Sequence, residues 1–287
     1  MTTPNVPEKS VMLGSKTLLM GPAGTGKTYA LGSIVDAGYE LFYLGLENGI
    51  ESLIGRWVDK GLPIPPNFHW ATAAGQTASF AEQLDNAVKA NTLSLESLAK
   101  LNDTNKTKYD GMRKLLGCLN NFQDERTKQS FGPVDTWDYK RVIAIDGLTG
   151  IGEAAMSNLI GGKAVRNQSD WGIAQSFVMN TIKQLTDNVH CHVVLLAHIE
   201  RETDQVLGGV KLMPATLGKA ISGLIAPKFS DVILTVREGS NWKWDTANPM
   251  ADLKTRSFPI SNNIPPDFAP IFKKWEARKA AMEALNV

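Results

Sequence analysis

The chain has 287 residues, 43% hydrophobic and 21% charged, and its 30 Lys+Arg against 29 Asp+Glu leave a net charge of +1. That balance suits one large soluble domain or two small ones. It excludes a global field drawing the chain onto nucleic acid or an acidic membrane, so a nucleic-acid site has to be local or assembled by oligomerisation. Two cysteines in no metal-ligand spacing, Cys118 and Cys191, and no apolar run of membrane-spanning length lead us to expect a cytosolic protein without disulfides and without a membrane partner.

Residues 1–13 have no apolar core and read as a flexible leader rather than a signal peptide. Lys16 to Met20 reads as a strand. After it comes Gly21-Pro22-Ala23-Gly24-Thr25-Gly26-Lys27-Thr28, a complete G-x-x-x-x-G-K-[ST] phosphate loop, and then a helix from Tyr29 to Val35 that ends at Gly38. In this motif the glycines let backbone N–H groups curl around a phosphate, and the helix N-terminus adds partial positive charge. Lys27 is placed to reach the β- and γ-phosphates and the Thr28 hydroxyl to hold Mg²⁺, so ATP and Mg²⁺ are the expected cofactors.

Tyr39 to Leu46 reads as a buried strand closed by Glu47-Asn48-Gly49. Ile50 to Lys60 reads as a helix stopped by Gly61, and Phe68 to Ala71 as a third strand after a proline turn. Residues 78–135 read as a helical insertion, with helices from Ser79 to Leu101 and Tyr109 to Phe122 around the polar run Asn102 to Lys108. Arg141 to Asp146 is a strand ending in an acid. Gly161 to Gln168 reads as a flexible loop, Trp171 to Leu185 as an amphipathic helix, and His192 to Ala197 as a strand ending at His198.

After Ser230 three strands are expected, Asp231 to Arg237, Trp242 to Asp245 and Asp252 to Ile260, the first two joined by a hairpin turn at Glu238 to Asn241. Trp242-Lys243-Trp244 is either a stacking platform for bases or hairpin packing, and the second reading is favoured. His190-Cys191-His192 supplies too few ligands for zinc. The segment Phe272 to Leu285 is a helix that docks on its own core or on a neighbour. Alternating strands and helices specify a parallel sheet covered on both faces, with antiparallel strands at its end.

Hydrolysis of a nucleotide needs a second acid beside Mg²⁺ and a base for water. Asp146 suits the first role because it emerges at the C-terminal edge of the sheet, where ligands of open α/β folds bind. AAA+ ATPases commonly carry Asp-Glu at this point, the Glu being the base. Here Gly147 follows Asp146, and Glu47, at the end of the strand after the phosphate-loop helix, is the candidate base.

This arrangement resembles the RecA-like core ATPases. Leu44-Gly45-Leu46-Glu47 matches the family's catalytic Glu, Val142 to Asp146 its Mg²⁺-side Asp, and His198 the γ-phosphate sensor, which in the family is often Gln. Lys254-Thr255-Arg256 looks like the Lys-x-Arg pair that related hexameric helicases and recombinases insert into a neighbour's ATP site; the other reading is two exposed cations on an edge strand. The resemblance covers residues 14–260 and is nearest to phage-encoded core-only RecA-like proteins of recombination and single-strand annealing, on GPxGxGKT, the strand ending in Asp146, the Trp171 helix before a strand ending in His, and Leu217-Gly218-Lys219-Ala220.

The resemblance implies a RecA-like P-loop NTPase core over residues 14–265, with a helical tail over 266–287. It implies a homo-oligomeric ring or filament, single-stranded DNA as partner, a single-strand-binding protein as a further partner, and a host cytoplasm if the chain is phage-encoded. Two loops would hold DNA, one through Lys163 and Arg166, the other, about Glu200 to Lys219, through Lys211 and Lys219, although Glu200, Glu202 and Asp204 oppose that role. Two alternatives stay open: a hexameric helicase or translocase motor, and a nucleotide-gated DNA-binding switch with little turnover.

Overall fold

The computed structural model describes residues 12–75, 78–100, 109–161, 166–203 and 208–285. Five apolar runs form the parallel centre of a sheet: β1 (Lys16–Met20), β2 (Glu40–Gly45), β3 (Phe68–Thr72), β4 (Arg141–Asp146) and β5 (His192–Ala197). A two-stranded ribbon, β6 (Ile199–Thr203) and β7 (Val210–Pro214), stands apart, and β8 (Asp231–Glu238) with β9 (Asn241–Asp245) completes the main sheet. The order is β3-β2-β4-β5-β1-β8-β9, parallel throughout except for the β8–β9 hairpin. Strands buried on both faces need nearly continuous apolar sequence, which accounts for RVIAID and HVVLLA.

Alternate residues of each strand face opposite layers. Leu18, Phe42, Ile143, Val193 and Val232 pack under α6 (Gly111–Asn120), α7 (Leu148–Ile160), α8 (Gln168–Asp187) and α9 (Lys219–Ile225). Leu19, Leu41, Val142, Val194 and Ile233 pack on the other face, under α1 (Lys27–Ala30), α2 (Gly32–Asp36), α3 (Ile50–Val58) and α10 (Ala269–Ala284). The C-terminal helix therefore docks on its own core, through Ile271, Phe272 and Trp275. The expected fold class holds: an α/β, mostly parallel sheet with helices on both faces and a terminal antiparallel pair.

Between β3 and β4 the long expected helix is two, α4 (Phe80–Thr92) and α5 (Leu95–Lys100). Leu93 turns extended, and the Ser94 hydroxyl accepts from Ser97 N, restarting the helix. The polar run Asn102 to Lys108 lies outside the described residues, as do residues 1–11 of the expected leader and Lys163 of the first expected DNA loop.

Two expectations of local structure fail. The segment expected as a second DNA loop is largely the β6–β7 ribbon, in register Ile199 with Pro214 through Thr203 with Val210. Asp252 to Ile260 is not a strand and pairs only through the isolated Val232–Lys254 bridge. The reason is Asp231: its buried carboxylate accepts from Arg256 N, Ser257 N and the Thr255 and Ser257 hydroxyls, curling the segment around one acid. Among the described residues no helix is long and apolar enough to cross a membrane.

Candidate active site

Register brings the catalytic candidates to one edge. Gly45 of β2 pairs with Asp146 of β4, Asp146 with Leu196 of β5, and Met20 of β1 with Ala197 of β5, so the phosphate loop, Glu47, Asp146 and His198 all leave the sheet at its C-terminal side. The loop is tied down from both flanks. Gly21 N donates to Ala197 O (3.1 Å), the Thr25 hydroxyl meets Thr235 Oγ1 (2.6 Å), and Thr25 Oγ1 donates to Pro22 O (2.7 Å). Gly24 and Gly26 take left-handed φ of 75° and 78°, which β-carbon-bearing residues rarely adopt.

Lys27 is buried and donates to Gly21 O (2.9 Å) and Pro22 O (2.8 Å), lying along the inside of its own loop. Burial lowers its pKa, opposed by the nearby carboxylates of Asp146 and Glu47. Thr28 Oγ1 donates to Asp146 Oδ2 at 2.8 Å, and the Tyr43 hydroxyl donates to the same oxygen at 3.0 Å. Burial raises the Asp146 pKa; the bonds from Thr28 and Tyr43 oppose it, while Glu47 adds to it. Tyr43 is pushed far above the usual phenol range by burial and the adjacent Asp146, so it remains a donor. Glu47 N donates to Asp146 O (3.3 Å), and Glu47 Oε2 lies 3.4 Å from His198 Nε2. Candidate base and candidate sensor are therefore in direct contact.

Glu47 and position 147 are neighbours in space: a Cβ on Gly147 would stand 2.9 Å from Glu47 Oε1.

A cavity of about 260 Å³ opens over the loop, walled by Glu47, Asp146, His198 and Trp242. Its residues fit a triphosphate with Mg²⁺: backbone amides and Lys27 on one side, and a hydroxyl beside a carboxylate, the donor set a hard cation takes, on the other. Thr28 and Asp146 would hold the metal, which when bound supplies charge neutralisation between phosphate oxygens. Glu47 lines the same cavity with a carboxylate, a group able to accept a proton from water.

The other candidates lie elsewhere. Lys254 and Arg256 sit beside Asp231, which pairs with Thr17 near the start of β1, at the opposite edge of the sheet. Lys254 Nζ donates to Pro227 O, and burial together with Arg256 lowers its pKa. They do not reach their own chain's site. Lys211 is paired with Asp252 (2.6 Å) and Lys219 with Glu202 (3.5 Å), while the Arg166 guanidinium lies over the Trp171 ring. Tyr43 was missed in the sequence, although it carried a signal, being an aromatic hydroxyl two residues before the strand end. Trp242 was singled out as a stacking surface or hairpin packing, and nothing in the sequence placed it at the phosphate loop.

Comparison with known proteins adds a family. No curated protein matches the chain. Among solved structures, the crystal structure of the RadB recombinase is similar at 11% identity over 84% of this chain and 92% of that one, with a TM-score of 0.41. The profile of the AAA domain matches residues 13–256, from the start of the sheet to Arg256. The chain belongs to the AAA domain family of P-loop ATPases.

Proposed function

We propose that this protein hydrolyses ATP with Glu47 as base and His198 as reporter of the γ-phosphate, and couples that cycle to single-stranded DNA in recombination or annealing. The observation that carries the reading is the 3.4 Å contact between Glu47 and His198 on the wall of the phosphate-loop cavity. His198 follows β5 directly, and β6 begins at the next residue. A change at the γ-phosphate thus has a one-residue path into the β6–β7 ribbon, which carries Lys211 and leads to Lys219. Loss of a γ-phosphate contact is a recognised trigger of such order changes.

In this reading ATP sites are shared between subunits. Lys254 and Arg256, remote from their own site, act in a neighbour's, where positive charge at the transferring phosphate accelerates the reaction. Lys163 and Arg166 contact the DNA backbone, and six or more subunits on one strand compensate for the weak charge of each.

Steady-state ATP hydrolysis with and without single-stranded DNA, with Lys27→Ala as blank, tests the reading. Stimulation by DNA that the variant lacks supports it. Turnover indifferent to DNA removes the coupling. Negligible turnover with retained DNA binding favours the nucleotide-gated switch.

A further inference from the structure

Trp242 and Trp244 are two apart on β9 and share a face, yet they end in different places. Trp244 is 1% exposed in the core under α10, while Trp242 is half-buried on the wall of the phosphate-loop cavity. Strand register accounts for the split. Leu234 of β8 pairs with Met20, the last residue of β1, but β8 continues four residues further, roughly 13 Å at the usual rise. Trp242 pairs with Arg237 in that overhang and so stands beside the loop rather than over the sheet.

Three contacts seat it there. Its Nε1–H donates to Gly24 O (3.2 Å), its ring lies 5.0 Å from the Tyr29 ring, and a Cβ on Gly26 would meet the indole at 2.6 Å. The Arg56 guanidinium lies over Tyr29 in turn. Beyond Trp242 a second cavity of about 480 Å³, lined by Ser240, Asn241, Lys243, Asn263 and Pro265, shares the indole as a wall with the phosphate cavity. The two cavities therefore meet at Trp242. A nucleoside leaving the loop towards Trp242 meets an aromatic surface and then the amides of Asn241 and Asn263, which can both donate and accept.

We infer that Trp242 is the platform on which the aromatic base of the bound nucleotide stacks, with the hairpin cavity as the compartment that receives its edge. This rests on the reading of the loop as a nucleotide site. Trp242 also props the loop, so the test has to separate the two roles.

Calorimetric titration of wild type, Trp242→Ala and Trp242→Phe with ATP and with inorganic tripolyphosphate, each with Mg²⁺, does so. Stacking predicts that Trp242→Ala weakens ATP binding about tenfold or more while tripolyphosphate affinity stays within about twofold, and that Trp242→Phe largely restores ATP. Parallel loss of both ligands, or no loss of ATP, overturns the platform. A wild type that binds ATP no tighter than tripolyphosphate overturns it too, while leaving the phosphate site intact. A wild type that binds neither overturns the nucleotide reading and the platform with it.

Discussion

Two lysines at opposite edges of one strand make the same bonds with different consequences. Lys16, at the start of β1, donates to Val189 O and Cys191 O, both at 2.7 Å; Lys27, across the phosphate loop from its end and first in α1, donates to Gly21 O and Pro22 O at 2.9 and 2.8 Å. Both are buried. Around Lys16 the structure is closed: Ser15 bonds His192 Nδ1 through its N–H and hydroxyl, the His192 ring is boxed by Tyr39, Phe272 and Trp275, and no carboxylate lowers the cost of the charge. Around Lys27 there is an open cavity with Asp146 and Glu47 nearby. A buried ammonium on carbonyls is thus a fastening where its surroundings are complete and a ligand group where they leave space for an anion.

Substitutions on the two sides break this comparison most clearly at the open edge. Glu47→Gln is expected to reduce ATP turnover by about 10²–10⁴-fold while leaving nucleotide affinity near wild type, the signature of a base that acts only in the chemical step. Single-turnover hydrolysis alongside equilibrium binding checks it. Equal losses in both would make Glu47 a binding group. Lys27→Ala should lose nucleotide binding with little change in melting temperature.

At the closed edge the pattern inverts. Lys16→Met leaves two buried carbonyls without a donor and is expected to cost roughly 2–4 kcal/mol of stability by chemical denaturation, with ATP affinity unchanged. Loss of affinity without loss of stability would show that Lys16 belongs to the site.

The pH dependence sharpens the same contrast. Burial lowers Lys16 to about 8 in the folded chain against the ordinary lysine value of 10.5. Between these values the unfolded chain holds a proton the folded chain has released, so stability rises with pH by at most about 1.4 kcal/mol per unit from this group. Lys16→Met should lack that rise in denaturation curves from pH 8 to 10. Burial lowers His192 to about 3 against 6.5, so its contribution falls as pH drops from 6.5 towards 3, again because the unfolded chain takes the proton.

The smallest effect is at the surface. Lys211 and Asp252 are both well exposed, and Asp252→Asn should change stability by less than about 1 kcal/mol. In the DNA-binding reading it also frees Lys211 and raises single-strand affinity at low salt. Unchanged affinity would remove Lys211 from that interface.

Much of the candidate site was legible because its parts are local. The phosphate loop is eight consecutive residues whose geometry depends on glycine and on the helix that follows. Asp146 and His198 each close a run of apolar β-formers, and parallel strands in an α/β sheet end on one edge. The absence of Glu after Asp146 pointed to Glu47, but that Glu47 lies beside Gly147 is visible only with β2 beside β4. Reading Asp252 to Ile260 as a strand failed because residue pattern cannot reveal a buried acid twenty-odd positions upstream collecting the segment's donors.

The sequence by itself determined the nucleotide-binding loop, the strands that carry the acids and the layered α/β class, since each follows from short-range backbone preference and hydrophobic periodicity. Tertiary structure alone decided that Glu47 touches His198, that Lys254 and Arg256 lie away from their own site, that Lys211 and Lys219 are paired, and that Trp242 stands against Gly26. Those contacts depend on strand order and register, on how far β8 overshoots β1, and on which charges the chain brings together, and such long-range pairings are set by the packing of the whole sheet rather than by any one segment.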